Sequence, residues 1–246
     1  MNILVVDDDN VSRLAIAHAL RGLSSEAPLQ VASGQAAMQA LAQGYQADLI
    51  VTDVRMPEIN GIEMLDLLRQ DLRYAPVPVM MVTSAPEQET VRQAMQIGVQ
   101  GFILKPVTPD ASERARAVIE RFHASMLEAP AAAARRLSIT QPKYWSCLQA
   151  LLAQTRKLAE TVRAASQDGH EPDAAQQTAI DKQLDICQGL AKLLAAPVLR
   201  RTLSTLERLI RTSVPYHDSR FIEVLQAIDL NLHWLDQIER VGNSSA

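Results

Sequence analysis

Five short runs of β-branched and aliphatic residues alternate with segments of helical periodicity over the first 127 residues. Strands are predicted at residues 2–6, 29–32, 48–52, 78–82 and 101–104. Helices are predicted at about 10–23, 34–43, 61–70, 87–97 and 109–127, the last with Thr108 as its N-cap and Pro109 in its first turn. Such alternation predicts an α/β fold in which right-handed crossovers make the five strands parallel. Their carboxyl ends then share one edge, where such sheets bind ligands.

The strand signals end near residue 130. Residues 128–141 contain Pro130 and an alanine run. The alanines could also prolong a helix, but we predict that these residues form a linker. Beyond them, apolar residues recur at spacings of three and four in four stretches, which are interrupted at 168–172, 196–197 and 214–218. This pattern predicts an all-α bundle of about four helices. We therefore expect domains at 1–127 and 142–241.

Composition narrows the function classes. The chain has 246 residues, of which 48% are hydrophobic, so two domains can each bury a core. Its formal charge is −4, which disfavours nucleic-acid binding. Residues 1–128 contain 10 Lys and Arg against 16 Asp and Glu (−6), whereas residues 129–246 contain 14 against 12 (+2). With no leader and no apolar run of ~18 to 20 residues, we expect a cytoplasmic protein without membrane contact.

Polar side chains follow four of the five predicted strands. They are Asp7 and Asp8 after the first strand, Asp53 after the third, Thr83 and Ser84 after the fourth, and Lys105 after the fifth. Clustered carboxylates repel one another unless a cation offsets their charge, and Mg²⁺ is the hard ion that prefers oxygen ligands. A carboxylate beside such an ion can attack a phosphoryl group. Lys105 and Thr83 would then contact the phosphoryl oxygens.

Four motifs resemble the receiver domain of two-component response regulators. They are V-V-D-D (5–8), D-V-R-M-P-E-I-N-G (53–61), V-T-S-A (82–85) and G-F-I-L-K-P (101–106). The resemblance extends over residues 1 to about 125 and implies a sheet of strand order 2-1-3-4-5. It also implies that a histidine kinase or a phosphotransfer protein phosphorylates Asp53.

The resemblance implies a role for each site residue. Mg²⁺ would bind Asp8, Asp53 and the backbone carbonyl of Arg55, with Asp7 close by, often through water. Thr83 and Phe102 would be the switch pair. Lys105 would pair with the phosphate, and its bond to Pro106 would be cis. Arg55 and Ser84 occupy positions that tune phosphate lifetime, where Arg55 could either shield the acyl phosphate from water or contact it.

Other residues have more ordinary interpretations. Asp9 is expected to cap the first helix. Cys147 and Cys187 fit no metal-ligand spacing and are expected to pack in helices. His233 is a candidate phosphoryl carrier, because histidine phosphotransfer domains are also four-helix bundles. It is followed by Trp234, Leu235 and Asp236 rather than by a lysine and a glycine, which favours a packed or surface histidine.

Three hypotheses remain for the helical domain. The first is a protein-interaction or dimerisation output that binds a downstream protein or a second copy of the chain. The second is a phosphorelay module that uses His233, and the third is a nucleic-acid-binding or enzymatic output. We rank them in that order and expect a switch rather than an enzyme, whose receiver catalyses only its own phosphoryl transfer and dephosphorylation.

Overall fold

The computed structural model describes residues 1–24, 26–85, 87–167 and 171–243. The chain divides into two compact units, Met1–Phe122 and His123–Ala246, which we call the N-terminal and C-terminal units. Among the described residues, no helix combines the length and the apolar character that crossing a membrane requires.

The N-terminal unit is built on a five-stranded parallel sheet. Its strands are β1 (Ile3–Val6), β2 (Leu29–Val31), β3 (Leu49–Asp53), β4 (Val79–Thr83) and β5 (Gly101–Leu104). The strand order is β2-β1-β3-β4-β5, and every neighbouring pair is parallel. Both the predicted fold class and the strand order are therefore confirmed.

Helices flank this sheet. They are α1 (Asn10–Leu20), α2 (Gly34–Ala42), α3 (Gly61–Gln70), α4 (Gln88–Ile97) and α5 (Ala111–Met126), with a 3-10 turn at Arg21–Leu23. Asp9 caps α1 as predicted, because its side chain accepts the Ser12 N–H. The predicted start of the fifth helix is wrong by two residues, since α5 begins at Ala111. The Thr108 hydroxyl donates to the Asp110 carboxylate, and the N–H of Ala111 donates to the Thr108 carbonyl.

The core of the N-terminal unit lies between its sheet and its helices. All residues of β1, β3 and β4 are buried, which is typical of parallel strands covered on both faces. Ile16 and Leu20 of α1 and Val118 of α5 pack against one face of these strands. Strands β3 and β4, which end in Asp53 and Thr83, are therefore buried inside the unit.

The C-terminal unit is entirely helical in its described residues. Its helices are α6 (Pro130–Leu137), α7 (Gln141–Gln167), α8 (Ala174–Leu193), α9 (Pro197–Arg211) and α10 (Ser219–Asn243). Helices α8 and α10 each pack against both α7 and α9, so these four form a closed bundle. Tyr144, Phe221 and Trp234 are the largest side chains fully buried in this unit. The predicted helical bundle is therefore confirmed.

The segment predicted as a linker contains a helix. Pro130 stands in the first turn of α6, where its missing N–H costs nothing, and the alanines that follow it favour helix. Arg136 of α6 forms an ion pair with Glu128, and α6 packs against α7. Most of residues 128–141 thus belong to a packed helix rather than to an irregular linker. Of the interruption predicted at 168–172, residues 168–170 lie outside the described residues.

Candidate functional site

Three carboxylates meet at the carboxyl edge of the sheet. Asp7 and Asp8 directly follow β1, and Asp53 ends the neighbouring strand β3. One ligand atom from each of the three lies within 4.8 Å of the others. Asp7 is fully buried, Asp53 is 8% exposed, and Asp8 is exposed to solvent. The predicted convergence of carboxylates is therefore a property of the fold.

Lys105 joins the two buried carboxylates. It follows β5, and its Nζ lies 2.9 Å from Oδ2 of Asp7 and 3.0 Å from Oδ2 of Asp53. The other oxygen of Asp53 accepts the N–H of Val54 at 2.8 Å. The ammonium group thus lies between the two carboxylates, and its peptide bond to Pro106 is cis.

Burial and the Asp53–Lys105 contact have opposite effects on the pKa values of Asp53 and Lys105. Burial raises the pKa of Asp53, and the nearby Asp7 raises it further, while the hydrogen bond from Lys105 lowers it. Burial tends to lower the pKa of Lys105, but its bonds to Asp7 and Asp53 outweigh that effect and raise it. A raised pKa means that the contribution of Asp53 to stability is lost as the pH rises through its folded-state pKa. Ionised Asp53 therefore costs stability that a bound cation would offset.

Asp7 is held in place by the first turn of α1. Its Oδ1 accepts the N–H of Asp9 at 2.9 Å, and its Oδ2 accepts the hydroxyl of Ser12 at 2.6 Å. The guanidinium of Arg13 donates to the Asp7 carbonyl at 2.7 Å. Neither Ser12 nor Arg13 was among the predicted site residues. Ser12 could have been found from Asp9, because the side chain three positions after an N-cap can reach back toward the cap.

Thr83, Ser84 and Phe102 lie on β4, just after it and on β5. The hydroxyl of Thr83 donates to the carbonyl of Ala85 at 3.0 Å and accepts its N–H at 3.2 Å. Thr83 is 6% exposed, Phe102 is half-buried, and Ser84 is exposed. The Thr83 hydroxyl is therefore bound to its own loop, and it would have to leave Ala85 to reach a group on Asp53.

Arg55 stands two residues after Asp53 and is exposed. Its guanidinium forms an ion pair with Glu87, which follows Thr83 by four residues. The pair therefore joins the two segments that leave the adjacent strands β3 and β4. The position of the Arg55 carbonyl relative to a metal stays a prediction from the resemblance.

Gly61 explains the turn that follows Asp53. Its N–H donates to the carbonyl of Val54 at 3.0 Å, so the chain folds back onto the end of β3. A Cβ at this position would lie 2.2 Å from the carbonyl oxygen of Asp53, a distance that real Cβ atoms do not show. Only glycine permits α3 to begin so close to the strand that carries Asp53.

The donor set fits Mg²⁺. Hard divalent cations prefer carboxylate and carbonyl oxygens, and three carboxylates gather here beside one ammonium group. The buried Asp7 and Asp53 carry charge that a cation would offset, and the exposed Asp8 leaves the group open to solvent. Asp7, Asp8 and Asp53 are therefore the residues of this edge that could hold the ion.

His233 lies on α10 in the C-terminal unit. It is half-buried, and its Nε2 is 2.9 Å from Nε2 of Gln237, one turn later. The next residue, Trp234, is fully buried in the bundle. Cys187 is buried and Cys147 half-buried, as expected of cysteines that pack in helices.

Comparisons with known proteins address the N-terminal unit. The family described as the response regulator receiver domain matches residues 3–115. Chemotaxis protein CheY1 of Helicobacter pylori is 34% identical over 109 residues, which cover 44% of this chain and 88% of that protein. Chemotaxis protein CheY of Pseudomonas aeruginosa is 35% identical over 122 residues, covering 49% and 98% of the two chains. The solved CheY4 structure of Vibrio cholerae has 27% identity and a TM-score of 0.43, covering 48% and 97%.

The two chemotaxis relatives are matched over nearly their whole length, and the family match lies within the N-terminal unit. The same unit has the sheet order and the acidic edge that the four motifs implied. Through residues 3–115, the chain therefore belongs to the response regulator receiver family of two-component signalling.

Proposed function

We propose that this chain is a cytoplasmic response regulator in which Asp53 accepts a phosphoryl group from a histidine kinase or a phosphotransfer protein. Phosphorylation requires Mg²⁺ and switches a helical output over residues 142–241, which binds a downstream protein or a second copy of the chain. The observation that carries the proposal is the position of the Lys105 ammonium between the buried carboxylates of Asp7 and Asp53.

Each residue of the edge has a task in this reaction. A carboxylate oxygen of Asp53 attacks phosphorus, the bond from phosphorus to the donor nitrogen breaks, and the leaving imidazole takes up a proton. Asp7, Asp8, Asp53 and the carbonyl of Arg55 would hold Mg²⁺, which when bound neutralises charge on the phosphoryl oxygens. The Lys105 ammonium lies within hydrogen-bond distance of Asp53. It can therefore contact the phosphoryl oxygens once Asp53 is phosphorylated.

The switch follows from the hydrogen bonds of Thr83. Phosphorylation adds about two negative charges and strong acceptors beside Lys105 and Thr83. The Thr83 hydroxyl would exchange its bonds to Ala85 for one to the phosphoryl group, and Phe102 would turn into the space it leaves. The output must bind its target differently in the two states, because the coupling can be no larger than that difference.

The positions of the tryptophans allow a direct test of the output. The chain has two tryptophans, Trp145 and Trp234, and both are buried in the C-terminal unit. Tryptophan emission therefore reports on that unit alone. We expect Mg²⁺ with beryllofluoride to change the emission of the wild-type chain, because the signal must cross from the receiver to the output. Fluorescence titration measures the change, and the Asp53→Ala chain is the control without an acceptor.

Fluorine NMR reports bound beryllofluoride independently of emission. Bound beryllofluoride with unchanged emission and unchanged hydrogen exchange in the C-terminal unit would refute the coupling. An equal change in the Asp53→Ala chain would show that the ions act elsewhere.

Arg55 is expected to protect the phosphorylated state. Its ion pair with Glu87 ties together the segments that flank Asp53, so breaking the pair should admit water more readily. Exposed ion pairs are worth about 0.2–1 kcal/mol, which corresponds to a rise in autodephosphorylation of up to about fivefold. Arg55→Ala and Glu87→Gln should each give this rise, measured by the loss of phosphoprotein with time.

The two substitutions should not add, because each breaks the same pair. Exposed Arg92, which pairs with Glu89 on α4, provides the matched control as Arg92→Ala. An unchanged rate in Arg55→Ala would remove Arg55 from the mechanism, and additive effects would mean that Glu87 acts separately.

The surroundings of His233 support an interaction output rather than a relay. Its half-buried ring contacts Gln237, and its neighbour Trp234 is committed to the core. A relay histidine has to present its ring to the receiver of another molecule. Acid-labile phosphate on His233 would reverse this preference.

A further inference from the structure

Helix α9 carries a row of arginines on its solvent side. The exposed arginines of this helix are Arg200, Arg201, Arg208 and Arg211. With 3.6 residues per turn, they fall within an arc of about 100° and span about 16 Å along the helix. The opposite side is buried in the bundle through Leu199, Thr202, Leu203, Leu206 and Leu209. We call the four exposed residues the α9 arginine face.

The charges of this face are mostly uncompensated. Arg211 pairs with Glu207 one turn earlier, whereas Arg200, Arg201 and Arg208 form no ion pair with any described residue. Four arginines on other elements of the C-terminal unit do form ion pairs. Their ion pairs are Arg136–Glu128, Arg156–Asp236, Arg163–Asp229 and Arg220–Asp218. The α9 arginine face therefore gathers on one helix three arginines that form no ion pair with the described residues.

Arginines without an acidic partner on one helix face reduce the stability of that helix. Arg208 and Arg211 are one turn apart, and like charges at that spacing destabilise a helix by a few tenths of a kcal/mol, which the Arg211–Glu207 ion pair partly offsets. A glutamate at Ser204, in the middle of the face, would offset much of this repulsion. The guanidinium fork binds a carboxylate through two parallel hydrogen bonds, which lysine cannot do. A row of such forks is suited to carboxylates from another molecule.

The surroundings favour an acidic protein over a nucleic acid. Residues 129–246 have a formal charge of only +2, whereas a domain that binds nucleic acid commonly carries a strong excess of basic residues. The sequence of α9 contains no aromatic side chain on which a base could stack. We propose that the α9 arginine face binds a carboxylate-rich segment of a partner protein. This names the partner chemistry of the proposed output, and it rests on the proposed function only in treating the C-terminal unit as that output.

The test uses the full chain and a fluorescein-labelled decaglutamate peptide. We expect fluorescence anisotropy to show binding that weakens with salt. Arg201→Glu with Arg208→Glu should weaken it by about tenfold or more, because attraction becomes repulsion. The matched control is Lys157→Glu with Lys182→Glu, which changes the charge equally at exposed residues of α7 and α8. The control should bind the peptide within about twofold of wild type, since neither lysine lies on α9 and the effect of an exposed charge outside the contact is reduced by salt.

Three results would overturn the inference. They are equal losses in both double variants, no binding by the wild-type chain, and tighter arginine-dependent binding to a DNA duplex than to the peptide. Circular dichroism measures the helix content of the double variants. If the content of Arg201→Glu with Arg208→Glu falls, Arg201→Gln with Arg208→Gln takes its place in the binding test. The protein is not phosphorylated in this test, so a failure of Asp53 to accept phosphate would leave the result unchanged.

Discussion

Asp53→Asn is expected to abolish phosphorylation of the chain by Mg²⁺ and acetyl phosphate. The amide keeps the size of the carboxylate but is not a nucleophile, and it removes one of the three carboxylates that gather at the edge. The wild-type chain should gain the mass of one phosphoryl group, and the variant should gain none. Intact-protein mass spectrometry measures both outcomes, with chelation of Mg²⁺ giving the metal-free comparison.

Asp9→Asn provides a matched control two residues from Asp7. Asp9 is exposed and caps α1, and asparagine caps a helix equally well, so this variant should be phosphorylated like the wild type. Undiminished phosphate incorporation in Asp53→Asn would identify another acceptor and refute the proposed chemistry. Loss of phosphorylation in both variants would instead indicate that the reaction depends on the total charge at this edge of the sheet.

Trp234→Ala is expected to destabilise the C-terminal unit by about 3–5 kcal/mol. Trp234 is fully buried in the bundle, and its removal leaves a cavity into which the surrounding structure relaxes only partially. Urea unfolding measures the loss, with the emission of Trp145 as the remaining probe in the same unit. The midpoint of that transition should fall strongly, while phosphorylation of Asp53 in native buffer should persist.

Ile222→Ala on the same helix is the control, because Ile222 is 50% exposed. A surface substitution of this kind usually changes stability by less than about 0.5 kcal/mol. Equal effects of the two substitutions would mean that the bundle core is not centred on Trp234. Loss of phosphorylation in Trp234→Ala would mean that the receiver depends on the bundle for its own fold.

Most of the N-terminal unit could be predicted from its sequence. Parallel strands leave a strong signal, since each buried strand is a largely aliphatic run and each crossover is a segment of helical periodicity. Parallel strands also end on a common edge, so the convergence of Asp7, Asp53 and Lys105 followed from their places in the strand order. The boundaries of the helices were predicted less accurately. The start of α5 and the helix α6 were missed, because proline and alanine fit a helix start as well as a linker.

The sequence by itself determined the two units, the five parallel strands and the acidic edge that carries Asp53, because these depend on periodicity and chain order. Only the tertiary structure decided which other groups meet there: Ser12 on Asp7 and Arg55 on Glu87. It also decided which arginines of the bundle find a carboxylate and which, on α9, do not. The reason is physical, since the partner of a long side chain is set by the packing of separate elements rather than by its neighbours in the chain.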